Sequence, residues 1–477
     1  MERLKEFFYG RDLFAFESPL QNDTYFFGRN NIVQFLYDKY RSGENSGLFG
    51  LRKIGKTSVL YALKRYLNFR DEYAVFLDCQ EPAFHKRRWF EVLEFIIKNI
   101  VTTLRREKNI GIETQSNYTE KDGSLQFQQD LLKIHEKVSR KRLLLIFDEI
   151  ENITFDISPT EHWNKGEDFI LFWQSIRSIF QKNPNTFSFI VAGVNPKIVE
   201  TPRVHDFDNP IYRMITPIYL KFFDVPQVKE MVSLIGRYMG LEFDEEIYTH
   251  FTEDYGGHPF LIRQVCSKIH NSTSKNRPVR ISRYYYKKHK DEFDKSLRDY
   301  VELIVEVLRR WYPKEYELLE MLAIGNKREF DDAANISTMM VQHLEGYNLV
   351  EHSNSDYHIR IEAVEDYLKE NSNIIKKAKQ IGDKWAAISG QRNTLEQNLR
   401  KCVKLIIKSN YGPIKGKEEF LKIVSSTDKR KVRLDAVSFD QLFTGEGEIY
   451  FEDLRKFINN HWGEFEKILG DKSMFDS

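Results

Sequence analysis

The stretch GLFGLRKIGKTSVL contains residues at the spacing of a phosphate loop: Gly50, Gly55, Lys56 and Thr57, with Lys53 and Ile54 inside the loop and Ser58 just beyond it. The glycines let the backbone curl so that its N–H groups point at one anion. The helix that follows turns its positive N-terminal end to the same place. At this spacing Lys56 reaches the β- and γ-phosphates and Thr57 ligates Mg2+. Such a loop calls for a neighbouring strand that ends in acids, and RLLLIFDEIE supplies one. Asp148 is the metal-side acid, and Glu149 is the general base that polarises the attacking water. Glu151 reads as a solvated neighbour or a helix-start residue. A further apolar run, TFSFIVAGV, leads to Asn195, which is either a γ-phosphate sensor or a turn residue before Pro196. Transition-state charge also calls for an arginine. Arg203 and Arg213 follow that run. Arg213, in NPIYRMITPIYL, is the candidate, against the reading of an exposed, salt-bridging arginine.

These groups need a scaffold. Residues 48–50 end a short apolar strand, and Thr57 to Leu67 reads as a helix. YAVFLDCQ (73–80) is a second buried strand. Residues 87–108 and 125–139 read as helices, with a polar loop at 109–124. Strands alternating with helices predict an α/β core, a parallel sheet with helices on both faces. From residue 224 the pattern turns helical, with a break at Gly256-Gly257 and a restart after Pro259, a helix-opening residue. Short helices follow between 300 and 370, and YNLVEHSNSDYHIRI reads as two strands around a polar turn. Together these predict a winged helix. QRNTLEQNLRKCVKLIIKSNYG (391–412) is an amphipathic helix with Leu395, Leu399, Val403 and Ile406 on one face. A loop is expected near 425–449 and a second helix over 450–469. The domains expected are an NTPase core (1–223), a helical lid (224–298), a winged helix (299–372) and a C-terminal helical domain (373–477).

Composition narrows the class. The 477 residues exceed one ordinary core, and 41% hydrophobic with 30% charged residues fits a globular chain. Lys and Arg total 72 against 71 acids, so no global charge favours nucleic acid. Cys79, Cys266 and Cys402 are far apart, which suits a reducing compartment and no zinc site. The charged start MERLKEFFYGRDLF does not read as a secretory signal, and no run approaches the ~18 apolar residues of a membrane span. A cytoplasmic protein without a membrane partner is expected.

The phosphate loop, the acidic strand FDEIE, the upstream TYFFGRNNIVQFL and the downstream YGGHPFLIRQVC together resemble the STAND ATPases, AAA+-like P-loop proteins of the archaeal-ATPase type. The resemblance covers residues 20–370. It implies that Phe27, Gly28 and Arg29 lie beside the adenine and ribose. It places Gly257, His258 and Pro259 in a lid over the nucleotide, with Pro259 near the base. Arg213 resembles the arginine that follows the sensor strand in this family. The resemblance implies a slow, regulatory ATPase that uses ATP/ADP and Mg2+, with the winged helix holding an ADP-bound resting form. Self-association or a partner sensor or effector protein would follow, in antiviral defence or signalling. The Met-His-Asp triplet of related immune receptors is absent. The stretch reads YHIRIEAVEDYL, and His358 there is a strand residue or a phosphate contact.

The last hundred residues resemble HEPN-like helical domains. Arg455 and His461, with five residues between them, match the Arg-x(4–6)-His motif of the ribonucleases in that group, and the resemblance implies either an RNase or a noncatalytic module for oligomerisation or partner binding. Residues 273–290 hold seven Lys or Arg, three Tyr and no acid, and FHKRRWF (84–90) is a second basic patch. Both are either solvated surface or nucleic-acid contacts. Three functions therefore stand: an ATP-dependent switch, a nucleic-acid-stimulated ATPase, and an ATPase-gated RNase effector.

Overall fold

A computed structural model describes residues 10–353, 356–424, 428–444 and 448–470, together with Lys472 and Phe475. The chain divides into two compact units, residues 1–372 and 373–477.

The first unit is built on a five-stranded sheet. Its strands are β1 (Ser46–Phe49), β2 (Tyr73–Asp78), β3 (Leu143–Asp148), β4 (Phe187–Gly193) and β5 (Pro217–Tyr219), in the order β2-β3-β4-β1-β5. All the pairings are parallel. Every residue of β3 and β4 is buried, as expected of central strands covered on both faces. Successive side chains point to opposite faces. Leu48, Leu144, Ile146 and Ile190 therefore join the core beneath α1 (Asn30–Arg41) and α2 (Lys56–Phe69). Phe49, Leu145, Phe147 and Val191 join the opposite core, under α3 (Trp89–Lys108), α4 (Gly123–Lys137) and α5 (Glu167–Lys182). After β4 comes one helical turn, α6 (Lys197–Glu200).

The helical region that follows shares the first core. It consists of α7 (Val225–Tyr238), α8 (Glu245–Asp254), α9 (Pro259–Ser272) and the long α10 (Arg283–Trp311). Short strands β6 (Leu241–Phe243) and β7 (Val279–Ile281) pair in parallel between them. Then come α11 (Pro313–Ala323), α12 (Lys327–Ile336), α13 (Thr338–Gly346), an antiparallel hairpin β8 (Val350–Ser353) and β9 (Asp356–Ile359), and α14 (Glu362–Asn371). Three helices and a hairpin follow in the order expected of a winged helix. Three of the seven cations in 273–290 are paired with carboxylates: Arg280 with Asp244, Arg283 with Glu246, and Lys290 with Asp294 and Glu362.

The second unit is helical: α15 (Asn373–Asn410), α16 (Gly412–Ile423), α17 (Asp428–Ala436), α18 (Phe451–Asn460) and α19 (Trp462–Leu469). Leu399, Val403, Ile407, Phe420, Leu454, Phe457 and Phe465 form its core. Leu395 departs from the expected buried face and is 52% exposed, because α15 runs past the bundle over residues 392–398. The expected loop near 425–449 contains α17 and a helical turn at Phe439–Leu442; residues 425–427 and 445–447 lie outside the described residues. Among the described residues no helix is long and apolar enough to cross a membrane.

Candidate functional site

The phosphate loop joins β1 to α2. Gly50 (φ +153°), Lys53 (+62°) and Gly55 (+103°) give it its curl. A Cβ on Gly55 would meet no atom within 4 Å, so the glycine there answers to backbone conformation and not to crowding. Lys56 is buried, and its Nζ donates to the Gly50 and Leu51 carbonyls at 3.0 and 3.1 Å. Thr57 Oγ1 donates to Asp148 Oδ2 at 2.7 Å. Asp148 arrives at the end of β3, and its Oδ1 is buried with no partner. Burial pushes its carboxyl up to about 6, although the Thr57 bond pulls the other way. Glu149, at φ +51°, lines the adjoining cavity.

That cavity has a volume of about 370 Å³. Arg52 to Ser58, Gln80 and Glu149 line it, and Tyr25, Phe26, Phe27, Phe223, Met231 and Phe260 add apolar surface. Arg29, buried on the wall, donates to the Lys221 carbonyl at 2.5 Å and the Ile54 carbonyl at 3.4 Å, and lies 4.5 Å from the Phe223 ring. Desolvation lowers its pKa to about 9. Arg263 of α9, also lining the cavity, donates to the carbonyls of Leu13 and Phe14, and burial lowers it to about 10. Lys53 donates to the Glu17 carbonyl at 3.0 Å. Five cations thus line one cavity, and four of them, Arg29, Lys53, Lys56 and Arg263, are bonded to neutral backbone carbonyls. Arg29, Lys56 and Arg263 are buried while Lys53 is exposed, and the desolvated charge of the three is stabilised by an anion that enters.

The sequence reading missed one wall altogether. Residues 12–20 form a strap laced across the cavity. Asp12 accepts from Ser267 at 2.6 Å, Leu20 N–H donates to Ser58 Oγ at 3.0 Å, and Glu17 Oε1 accepts from Tyr300 at 2.7 Å. Phe16, Glu17, Ser18, Pro19 and Leu20 line the cavity. The aromatic pair Phe14 and Phe16 was the available signal, and it looks like ordinary core.

The other residues singled out by sequence are placed as follows. Phe27 and Pro259 line the cavity. Gly28 (φ +64°) lies under Phe223 and accepts at its carbonyl from Gln227, whose reciprocal cap with Asp224 opens α7. His258 is fully buried and caps α9 through Leu261 N–H at 3.5 Å; its Nε2 has no partner, and burial pushes its pKa down to about 3. Asn195 is buried, and its Oδ1 accepts from Lys197 N–H and from Tyr312 OH, both at 2.9 Å. Arg213 is exposed and stacks on its neighbour Tyr212 at 5.3 Å, outside the walls of the cavity. His358 is exposed on β9 opposite Glu351. Glu151 does stand in the first turn of a short helix, Ile150–Ile153, but its reading as a solvated residue is corrected. It is 6% exposed, and its Oε1 accepts from the N–H groups of Val194 and Asn195. In the second unit Arg455 pairs with Glu452 at 3.7 Å, while the His461 ring stacks on Phe457 and meets Tyr411 edge-on, so the two have separate partners.

No family model matches the chain, and no curated protein matches its sequence. Solved structures do match. The Walker-type ATPase of Pyrococcus abyssi is 16% identical, with 75% of this chain and 100% of that one covered and a TM-score of 0.49. The Thermotoga maritima RuvB Holliday junction branch migration motor is 14% identical, covering 72% and 95%, with a TM-score of 0.31.

Proposed function

We propose that this chain is a STAND-type molecular switch that binds ATP and hydrolyses it slowly, and that the bound nucleotide sets how the core, lid and winged helix are arranged. The observation that carries this reading is the convergence of Lys56, Lys53, Arg29 and Arg263, each bonded to backbone carbonyls, on one cavity that is also lined by aromatic side chains suited to a base. That cavity takes walls from the core, from α7, from α9 and from Leu303 of α10. A ligand touching all of them favours their closed arrangement.

Lys56 exchanges its loop carbonyls for phosphate oxygens. Thr57 and Asp148 would hold Mg2+: they are a hard-oxygen pair, and the buried, partnerless Asp148 Oδ1 suits a cation. The ion, when bound, neutralises charge on the β- and γ-oxygens. Glu149 takes the proton from the attacking water, and Arg29 and Arg263 bind anionic oxygens. Arg213, exposed and away from the cavity, would serve the phosphate of a second copy, which fits ATP-dependent self-association.

Equilibrium titration of the full chain with a fluorescent ATP analogue tests the reading. Lys56→Ala is expected to weaken binding at least about tenfold, since charge-assisted bonds contribute ~1.5–3 kcal/mol each. A wild-type chain that binds no adenine nucleotide, or equal binding by the variant, refutes it. Antiviral defence or signalling is the setting that the family resemblance suggests.

A further inference from the structure

The end of β4 is held from both sides. From the core, Glu151 Oε1 accepts from the N–H groups of Val194 and Asn195. From the winged helix, Tyr347 OH donates to the Val194 carbonyl at 2.8 Å, and Tyr312 OH donates to Asn195 Oδ1 at 2.9 Å. Behind the two tyrosines lies a buried bridge of charge. His343 on α13 sits with Nδ1 2.7 Å from Glu315 Oε1 on α11, and with Nε2 3.2 Å from Glu200 Oε2 on α6. Tyr219 of β5 donates to the other oxygen of Glu200 at 3.0 Å. The Tyr312 and His343 rings are 4.7 Å apart, and the Tyr219 and Tyr347 rings 5.5 Å. The groups facing His343 are therefore Glu200 from α6, Glu315 from α11, Tyr312 at the start of α11 and, through Glu200, Tyr219 from β5. Tyr347 closes the cluster at the end of α13.

We infer that Tyr312 is a positioning residue that acts through Asn195: with the His343 bridge it clasps the winged helix onto the end of β4 and keeps the Asn195 amide oxygen engaged away from the nucleotide. This rests on the switch reading above and adds the point at which the winged helix restrains turnover. Asn195 has its side-chain oxygen doubly occupied while the clasp is closed. Releasing the clasp removes one of those donors and frees the strand end that borders the acidic strand.

The test compares the full-length wild type with Tyr312→Phe, which deletes one hydroxyl, and with His343→Gln, which removes the cation between two carboxylates. Steady-state ATP turnover and amide exchange over residues 192–200 of the nucleotide-free chain are measured together. One lost hydrogen bond corresponds to a change of about two- to tenfold. Tyr312→Phe is expected to raise kcat by that factor with KM within about twofold, and to speed exchange of the 192–200 amides about as much. His343→Gln is expected to act in the same direction, and it carries the comparison alone if Tyr312→Phe does not fold. An unchanged kcat or unchanged exchange in variants that still bind ATP overturns the clasp and leaves the switch standing. A wild type that neither binds nor hydrolyses ATP overturns both.

Discussion

Gly257 sits at the joint between the core and α9. Its φ is +77°, and a Cβ there would lie 1.9 Å from the Phe223 carbonyl oxygen. The Phe223 N–H donates to the Gly257 carbonyl at 2.9 Å, so neither segment can withdraw without breaking that bond. Gly257→Ala therefore meets three penalties. Left-handed backbone costs a β-carbon-bearing residue about 1 kcal/mol, the lost hydrogen bond about 1, and overpacking about 1–3. The total is about 3–5 kcal/mol, a large share of the ~5–15 kcal/mol typical of a folded chain. Gly325 is the matched control: its φ is also +77°, and a Cβ there would have nothing within 4 Å. Gly325→Ala meets the first penalty alone, about 1 kcal/mol. Urea unfolding of the full chain, followed by circular dichroism, reads both values. Phe223 and Pro259 line the cavity on either side of this joint, so Gly257→Ala is also expected to weaken nucleotide binding while Gly325→Ala leaves it intact. Equal destabilisation by the two variants would refute the reasoning.

Two further outcomes concern charge. Glu149→Gln keeps the shape of the cavity but removes the base, so ATP binding is expected to survive while single-turnover hydrolysis slows about 10²- to 10⁴-fold; hydrolysis at the wild-type rate would remove Glu149 from the mechanism. At His343, burial works against the cation, but bonds to Glu200 and Glu315 outweigh it and lift the pKa to about 9. The native state then holds a proton that the unfolded chain, near ~6.5, has lost. This contribution is complete below ~6.5, falls about 1.4 kcal/mol per pH unit above it, and is gone past about 9. Unfolding midpoints measured across that window are expected to decline more steeply for the wild type than for His343→Gln, and parallel curves would contradict the ion-pair assignment.

The phosphate loop, the acidic strand and the first four strands of the sheet were legible because each is a local pattern. Apolar runs such as LLLIF are too short for helices, and glycines sit where the backbone must curl. The hairpin at 350–359 was legible for the same reason, as two strands around a polar turn. Glu151 was not legible. Its importance comes from two backbone N–H groups on β4, and nothing in the stretch FDEIEN distinguishes it from a solvated acid. The strap at 12–20 escaped likewise, since its partners Ser58, Ser267 and Tyr300 are distant in sequence. Strand β5 spans three residues, too few for an alternation to show. Leu395 matched the helical period of α15, but periodicity does not reveal where a helix leaves its bundle.

The strand order has a consequence for biosynthesis. The phosphate loop hangs from β1, yet Ser46 pairs with Ile190 and Gly47 with Pro217. Strands β2 and β3 can find each other earlier, although β1, an interior strand, leaves the ribosome before either. Until β4 and β5 emerge, β1 is an apolar segment with no partner, the kind of exposed edge that invites aggregation. Close pairing of distant segments also slows the search for the native state. A ligand in the cavity can steady the folding chain only after α10 has been made, because Arg263, the strap it holds and Leu303 complete the walls.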